Sequence, residues 1–439
     1  ATVPINTAPL SEEDAGKVGE VADTLTGELE NKTIKWFSFY DPFHATTSGN
    51  TKALSLELFE TKYGGEIEYV ATTWANRFND LSTKIIGGDG VDFIAGGDLD
   101  SFPRGVPSGQ FQKFDEFMDW NDPLWAEWKD LNDTFEMNGG HYIICLQSTA
   151  GLVVYYNRNT IENMGFDDPA ELLEAGEWNW DSFKDMLRDY CDADSEQYGL
   201  DGWFNEQPLM LTCGVPSVEL RDGRLAHNLT DPNLERVMNF MQELNTFGLV
   251  LDKNLFNWTV HNEFIGEGKE LFYISGIYEI ESAAELWSAV FGEPESVMIV
   301  PLPKDPQADN YYLPAGLEAY MLCKGAQNPE GVLRFMECIL AANSDDRTKE
   351  IALEKRRNDY GWTEEMIEMY DKITQMTREN PVYDLHSGCP TDLYNLIDSG
   401  ETGIRAAFAG LDWATVRESL VDATDIYIEE FNAQADAAA

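Results

Sequence analysis

Residues 33–95 read TIKWFSFYDPFHATTSGNTKALSLELFETKYGGEIEYVATTWANRFNDLSTKIIGGDGVDFIA. Thr33–Phe39 is a run of β-branched and aromatic residues and reads as a strand. Lys52–Tyr63 sets Leu54, Leu58 and Phe59 on one helical face and stops at Gly64-Gly65, where a left-handed C-cap costs least. Glu66–Val70 reads as a second strand and Asn76–Ile86 as a second helix ended by Gly87-Gly88. Val91–Ala95 is a short apolar strand suited to burial on both faces. Strand, helix, strand, helix, strand in this order predicts an α/β fold with a doubly wound, mostly parallel sheet flanked by helices.

Open parallel sheets bind ligands beyond the carboxyl ends of their strands. Three loops occupy those ends. The first carries Tyr40 and Asp41, the second Trp74, and the third Asp98 and Asp100. Carboxylates pair with hydroxyls and an indole offers a flat apolar face, so the set suits a polyol.

Composition narrows the partners. The chain has 439 residues, too many for one ordinary domain. Its 79 Asp+Glu against 30 Lys+Arg give a net charge of −49, a field that repels nucleic acid and anionic membranes. No apolar run is long enough for a transmembrane helix. Ala1 without an initiator Met reads as a processed or trimmed start. Residues 1–32 carry seven acids and few large apolar groups, and read as a disordered acidic tether. The six cysteines show no CxxC and no zinc spacing; Cys145, Cys323 and Cys338 sit in apolar runs as buried free thiols. The acidic stretch from Asp192 lacks the Gly and Glu that a calcium loop needs at its sixth and twelfth places. No metal or cofactor is expected.

Further along, residues 138–166 read NGGHYIICLQSTAGLVVYYNRNTIENMGF, and EWNWDSF occupies 177–183. Two apolar strands, Tyr142–Leu146 and Leu152–Tyr156, are followed by a short helix ending at Gly165. Trp178 and Trp180 precede a helix at Asp181 and are expected to brace it. Asp231-Pro232 opens another helix as N-cap and first residue. Glu270–Ser275, Ser296–Leu302 and Leu317–Cys323 read as strands, and Trp413–Phe431 as the last helix.

This order resembles the sugar-binding family of extracellular solute-binding proteins that serve bacterial ABC importers, the family of the maltodextrin-binding proteins. The likeness lies in Phe59–Asp100, in Phe111–Phe117, in the YYN-to-Gly165 element, in Phe264–Gly276 (FIGEGKELFYISG) and in Glu295–Pro303. It implies a two-lobed fold with the ligand cleft between lobes, and residues 138–183 as the first crossing. The implied lobes are 33–145 plus about 304–345, and 146–303 plus about 346–431, with a tail at 432–439. By resemblance, Gln147 falls at a polar contact, Trp203 at an aromatic platform, and Tyr278 and Glu279 at the second lobe's ligand contact.

The implied function is capture of an oligosaccharide and its delivery to the permease subunits, without catalysis. A monomer is implied, extracellular or periplasmic, tied to the membrane only through a lipid anchor upstream of this chain. The alternatives are a glycoside hydrolase, whose sites also join carboxylates to aromatics, and a surface glycan-sensing or adhesion protein. A peptide or polyamine is the alternative ligand, since carboxylates also hold cations.

Overall fold

The computed structural model describes residues 9–45, 51–203 and 206–438. Thirteen strands occur among them: β1 (Thr33–Ser38), β2 (Glu66–Ala71), β3 (Phe93–Ala95), β4 (Ile143–Thr149), β5 (Leu152–Asn157), β6 (Tyr198–Gly202), β7 (Val218–Arg221), β8 (Arg224–His227), β9 (Glu270–Gly276), β10 (Val297–Val300), β11 (Leu313–Pro314), β12 (Gly316–Leu322) and β13 (Pro381–Val382). They build a five-stranded sheet ordered β2-β1-β3-β12-β4 and a four-stranded sheet ordered β10-β5-β9-β6. Two short pairs, β7-β8 and β11-β13, complete the set.

Both sheets are mixed, each with one strand opposed to the rest. In the first, β1 pairs in parallel with β2 and β3, whereas β12 is antiparallel to β3 and β4. In the second, β6 and β9 are parallel, whereas β5 is antiparallel to β9 and β10. The opposed strand is in each case the one that arrives from the other sheet. β5 enters directly from β4, and β12 follows β10 through β11. The start of each therefore lies beside the carboxyl ends of its neighbours: Leu152 pairs with Gly276, and Gly316 with Thr149. Both crossings and the strand ends meet at one place. A Cβ on Gly151 would sit 2.8 Å from the Cα of Gly316, so the two connectors touch backbone to backbone. The β11-β13 pair brings a third connector alongside.

Local chemistry explains most elements. The helix Leu54–Tyr63 ends at left-handed Gly64 and the helix Arg77–Gly87 at left-handed Gly88. Asp231 caps Pro232–Thr246, with Pro at its first position. The helix Trp180–Tyr190 is capped by Asn179 through a reciprocal box with Ser182, two residues before Asp181. Asp92, buried, accepts from the Lys35, Gln327 and Asn328 backbone N–H groups at 2.7–2.9 Å. It thereby fixes β1, β3 and the start of the helix Pro329–Ser344 to one another. All six cysteines are free thiols.

Four boundaries differ from expectation. Part of the supposed acidic tether is the helix Glu12–Ala22, capped by Ser11, with Val18, Val21 and Ala22 buried and Leu25 and Leu29 continuing the apolar stripe. The stripe packs in the same core as Leu58 and Phe59, which a low average hydrophobicity conceals. Residues 1–8 lie outside the described region. The supposed tail is helical: Trp413–Ala438 is continuous, because Asn432 exchanges two hydrogen bonds with the Leu225 backbone and Ala435 is buried. At the first crossing, residues 146–149 stay in the first sheet, since Gln147, Ser148 and Thr149 pair with β12. The helix Asp346–Asn358 likewise packs on Glu12–Ala22 and Pro329–Ser344, on the side of the first sheet.

Candidate functional site

Tyr40 follows β1 and leans edge-on against Phe39 and buried Trp36, at centroid distances of 4.9 and 6.1 Å. Trp36 Nε1–H donates to the Tyr40 carbonyl at 3.0 Å, so the turn is anchored and the phenol projects from it. With Arg77, Phe78, Asp98 and Asp100 the phenol lines one pocket at the carboxyl ends of β1 and β3. Asp41 does a different job. One oxygen accepts the Phe43 and His44 N–H groups, and the other meets His44 Nδ1 at 2.8 Å, so the carboxylate caps its own turn.

The third loop separates two carboxylates by role. Asp100 receives Arg77 Nε and Nη2 at 3.2 and 2.6 Å, and Ser101 Oγ at 3.1 Å. Asp98 receives no donor among the described residues and is exposed to solvent. Desolvation by the surrounding protein, then repulsion from Asp100, raises its pKa to about 6, with Arg77 opposing. Water reaches the group although protein surrounds it, as in a narrow cleft. Leu99 between them has φ +52°, a left-handed conformation uncommon for a residue with a side chain. Trp74 is 63% exposed, with the Arg77 guanidinium 4.4 Å from its ring centre.

From the second sheet, Tyr278 and Glu279 stand in a single turn, Ile277–Ile280, directly after β9. A Cβ on Gly276 would lie 2.3 Å from the Tyr278 ring, so that glycine lets the ring lie flat on the strand end. Tyr278 is 55% exposed, and its pKa is raised by desolvation and by charges that include Asp98. Asp98 and Tyr278, from different lobes, are thus near enough for the charge of one to act on the other. Glu279 turns inward: it accepts from Ser275 Oγ at 2.9 Å, Tyr273 Oη at 3.1 Å and Asn262 Nδ2 at 3.4 Å. Trp203 is exposed just beyond β6, where Lys253 Nζ holds the preceding Gly202 carbonyl at 3.0 Å.

Gln147 sits where the connectors meet. Its Nε2 donates to Glu318 at 2.8 Å, and its Oε1 accepts from Arg378 at 3.2 Å. Asn343 donates to the same Glu318 oxygen at 2.7 Å, and Arg378 also binds the Ser148 carbonyl. Burial raises the Glu318 pKa, against the hydrogen bonds of Gln147 and Asn343. The structure therefore brings Tyr40 and Asp98 together in one pocket, sets Tyr278 within reach of the Asp98 charge, and leaves Trp74 and Trp203 exposed at strand ends. It engages Asp41, Asp100, Gln147 and Glu279 with other protein groups. Arg77 and Glu318 escaped the sequence reading. Arg77 lies three residues after Trp74 on a helix start, and its pairing with Asp100 has no local signature. Trp178 and Trp180 are buried, each with its indole N–H bonded to protein, and serve as scaffold.

Comparison with known proteins gives a consistent picture. No curated protein sequence matches the chain. Solved structures share its fold at low identity. An ABC substrate-binding protein of Listeria monocytogenes in complex with cycloalternan superposes with a TM-score of 0.62 at 13% identity, covering 91% of this chain and 98% of its own. The binding protein of Bifidobacterium animalis subsp. lactis in complex with β-1,6-galactobiose gives 0.61 at 14%, covering 91% and 98%. The GacH receptor of Streptomyces glaucescens, studied unliganded and with acarbose, gives 0.61 at 14%, covering 92% and 100%. Residues 56–351 match the family described as bacterial extracellular solute-binding protein, a family of binders rather than enzymes. On this match over most of its length, the chain belongs to the bacterial extracellular solute-binding proteins.

Proposed function

We propose that the chain captures an uncharged, hydroxyl-rich ligand, an oligosaccharide, between its two lobes and hands it to the permease of an ABC importer. The observation that carries this reading is Asp98, a carboxylate without a donor among the described residues, beside Tyr40 of the same lobe in one pocket and within electrostatic reach of Tyr278 from the other. Such a group accepts hydroxyl hydrogen bonds, worth about 1.5–3 kcal/mol each when shielded from water. The phenols supply apolar faces. Closure needs only that the ligand favour the closed arrangement. The carbohydrate ligands of the similar structures support this class. In this reading Trp74 and Trp203 extend the contact at the rim, while Asp100, Gln147 and Glu279 position the groups around it. Among the described residues no helix is long and apolar enough to cross a membrane. The proposed setting is the cell exterior, with attachment through a lipid upstream of this chain.

Thermal-shift screening against oligosaccharides, amino acids and polyamines tests the reading, with calorimetry and product analysis on each hit. A stoichiometric oligosaccharide complex without product release is the expected result. Selective binding of polyamines, or turnover of the sugar, overturns it.

A further inference from the structure

His141 lies just before β4, at the opposite end of that strand from the cleft, and its imidazole is only 7% exposed. Asp115 accepts the His141 backbone N–H at 2.7 Å, the ring Nδ1 at 2.7 Å and Trp120 Nε1 at 3.2 Å. Asp115 thus gathers three donors on one carboxylate, with Nδ1 as the ring's donor and Nε2 left to face the other way. Trp120 packs 4.6 Å from the imidazole and fixes its plane.

The other ring nitrogen, Nε2, points at Asp133 Oδ1, 3.2 Å away. Lys129 takes the other oxygen of Asp133, so Oδ1 is left on the His141 side. One ligand atom from each of Asp133, Glu136 and His141 lies within 4.8 Å of the others, so the three converge on a space that a single ion can share.

We propose that Asp133, Glu136 and His141 bind a divalent metal ion of the zinc class, with Asp115 orienting the imidazole from behind. An imidazole with two carboxylates suits zinc and its neighbours, whereas calcium and magnesium call for oxygen ligands alone. A carboxylate on the distal nitrogen of a ligating histidine is the usual support of such a site. Glu136 is exposed, which gives the ion a path from solvent and leaves a position for water.

Calorimetric titration of the metal-free, full-length protein with zinc tests the site. One saturable site is expected, with no competition from equimolar calcium. Glu136→Gln leaves the Asp115–His141–Asp133 chain in place and is expected to weaken zinc roughly tenfold or more; Asp115→Asn is expected to cost roughly 10–100-fold. Circular dichroism checks that both variants are folded. Absence of zinc binding, or several weak sites of equal strength in wild type and Glu136→Gln, overturns the proposal and leaves only an acidic surface collecting cations.

Discussion

Asp98 makes the proposed site testable by pH. Its pKa stands at about 6, pushed up by desolvation and by Asp100. The sign follows from the carboxyl's role. The charged acceptor exists above pH 6 and is lost as pH falls through that value. If the ligand binds only the ionised form, affinity scales with the ionised fraction. That fraction drops from about nine-tenths at pH 7 to about one-tenth at pH 5, a roughly tenfold loss or ~1.4 kcal/mol. Asp98→Asn removes a charge-assisted hydrogen bond at about 1.5–3 kcal/mol, and it also flattens the pH profile. Glu318 is the control. It is a second cleft carboxylate with a raised pKa, but Gln147 and Asn343 already occupy it, so Glu318→Gln is expected to leave the slope intact. Calorimetry with the sugar found by screening, at pH 5, 6, 7 and 8, reads all three proteins. A flat wild-type profile, or an Asp98→Asn profile parallel to wild type, refutes the assignment. Salt adds a check, because a neutral sugar is expected to keep its affinity at high ionic strength whereas a cationic ligand loses it.

Three further outcomes are expected. Trp203→Ala should weaken sugar binding roughly tenfold or more without unfolding, as a lost aromatic face does; equal affinity removes Trp203 from the site. Glu270 is fully buried with both oxygens unpartnered, and burial, then Asp201, raises its pKa well above the ordinary value. The folded chain therefore keeps a proton that the unfolded chain releases. Stability from this group is full below about pH 4.3 and falls by about 1.4 kcal/mol per pH unit above it, up to the folded pKa. In urea unfolding Glu270→Gln should abolish that slope between pH 5 and 7; parallel loss in both proteins argues against it. Leu25→Ala, in the stripe that follows the first helix, should cost about 2–3 kcal/mol, and a value near zero would restore the solvated tether.

What could be read in advance was what local chemistry decides. Gly64, Gly88 and Gly165 end helices, and Asp231-Pro232 opens one, because the cap is made by neighbours in sequence. The strand ends followed from the same order, and with them Tyr40, Trp74 and Asp98. The first helix was hidden because Val18, Val21 and Leu25 gain partners from segments far along the chain, among them Leu56–Tyr63 and Val332–Ala341. Glu318 was hidden for a related reason. In sequence it alternates with apolar residues as a solvent-facing strand position does. Only the antiparallel entry of β12 beside β4 sets it against Gln147.

That entry also explains why the cleft lies where it does. A strand passing from one sheet to the other must start at the edge where the sheets meet. Beside strands whose carboxyl ends share that edge, it can pair only in the opposite sense. β5 and β12 both obey this, so one opposed strand per sheet is the mark of a chain that crosses and returns. The same geometry forces the Gly151 and Gly316 backbones into contact and gathers Gln147, Glu318 and Arg378 around them. Strand-end loops therefore face each other across a hinge of three touching connectors. Asp98 and Tyr278, 180 residues apart in sequence, come within electrostatic reach for that reason.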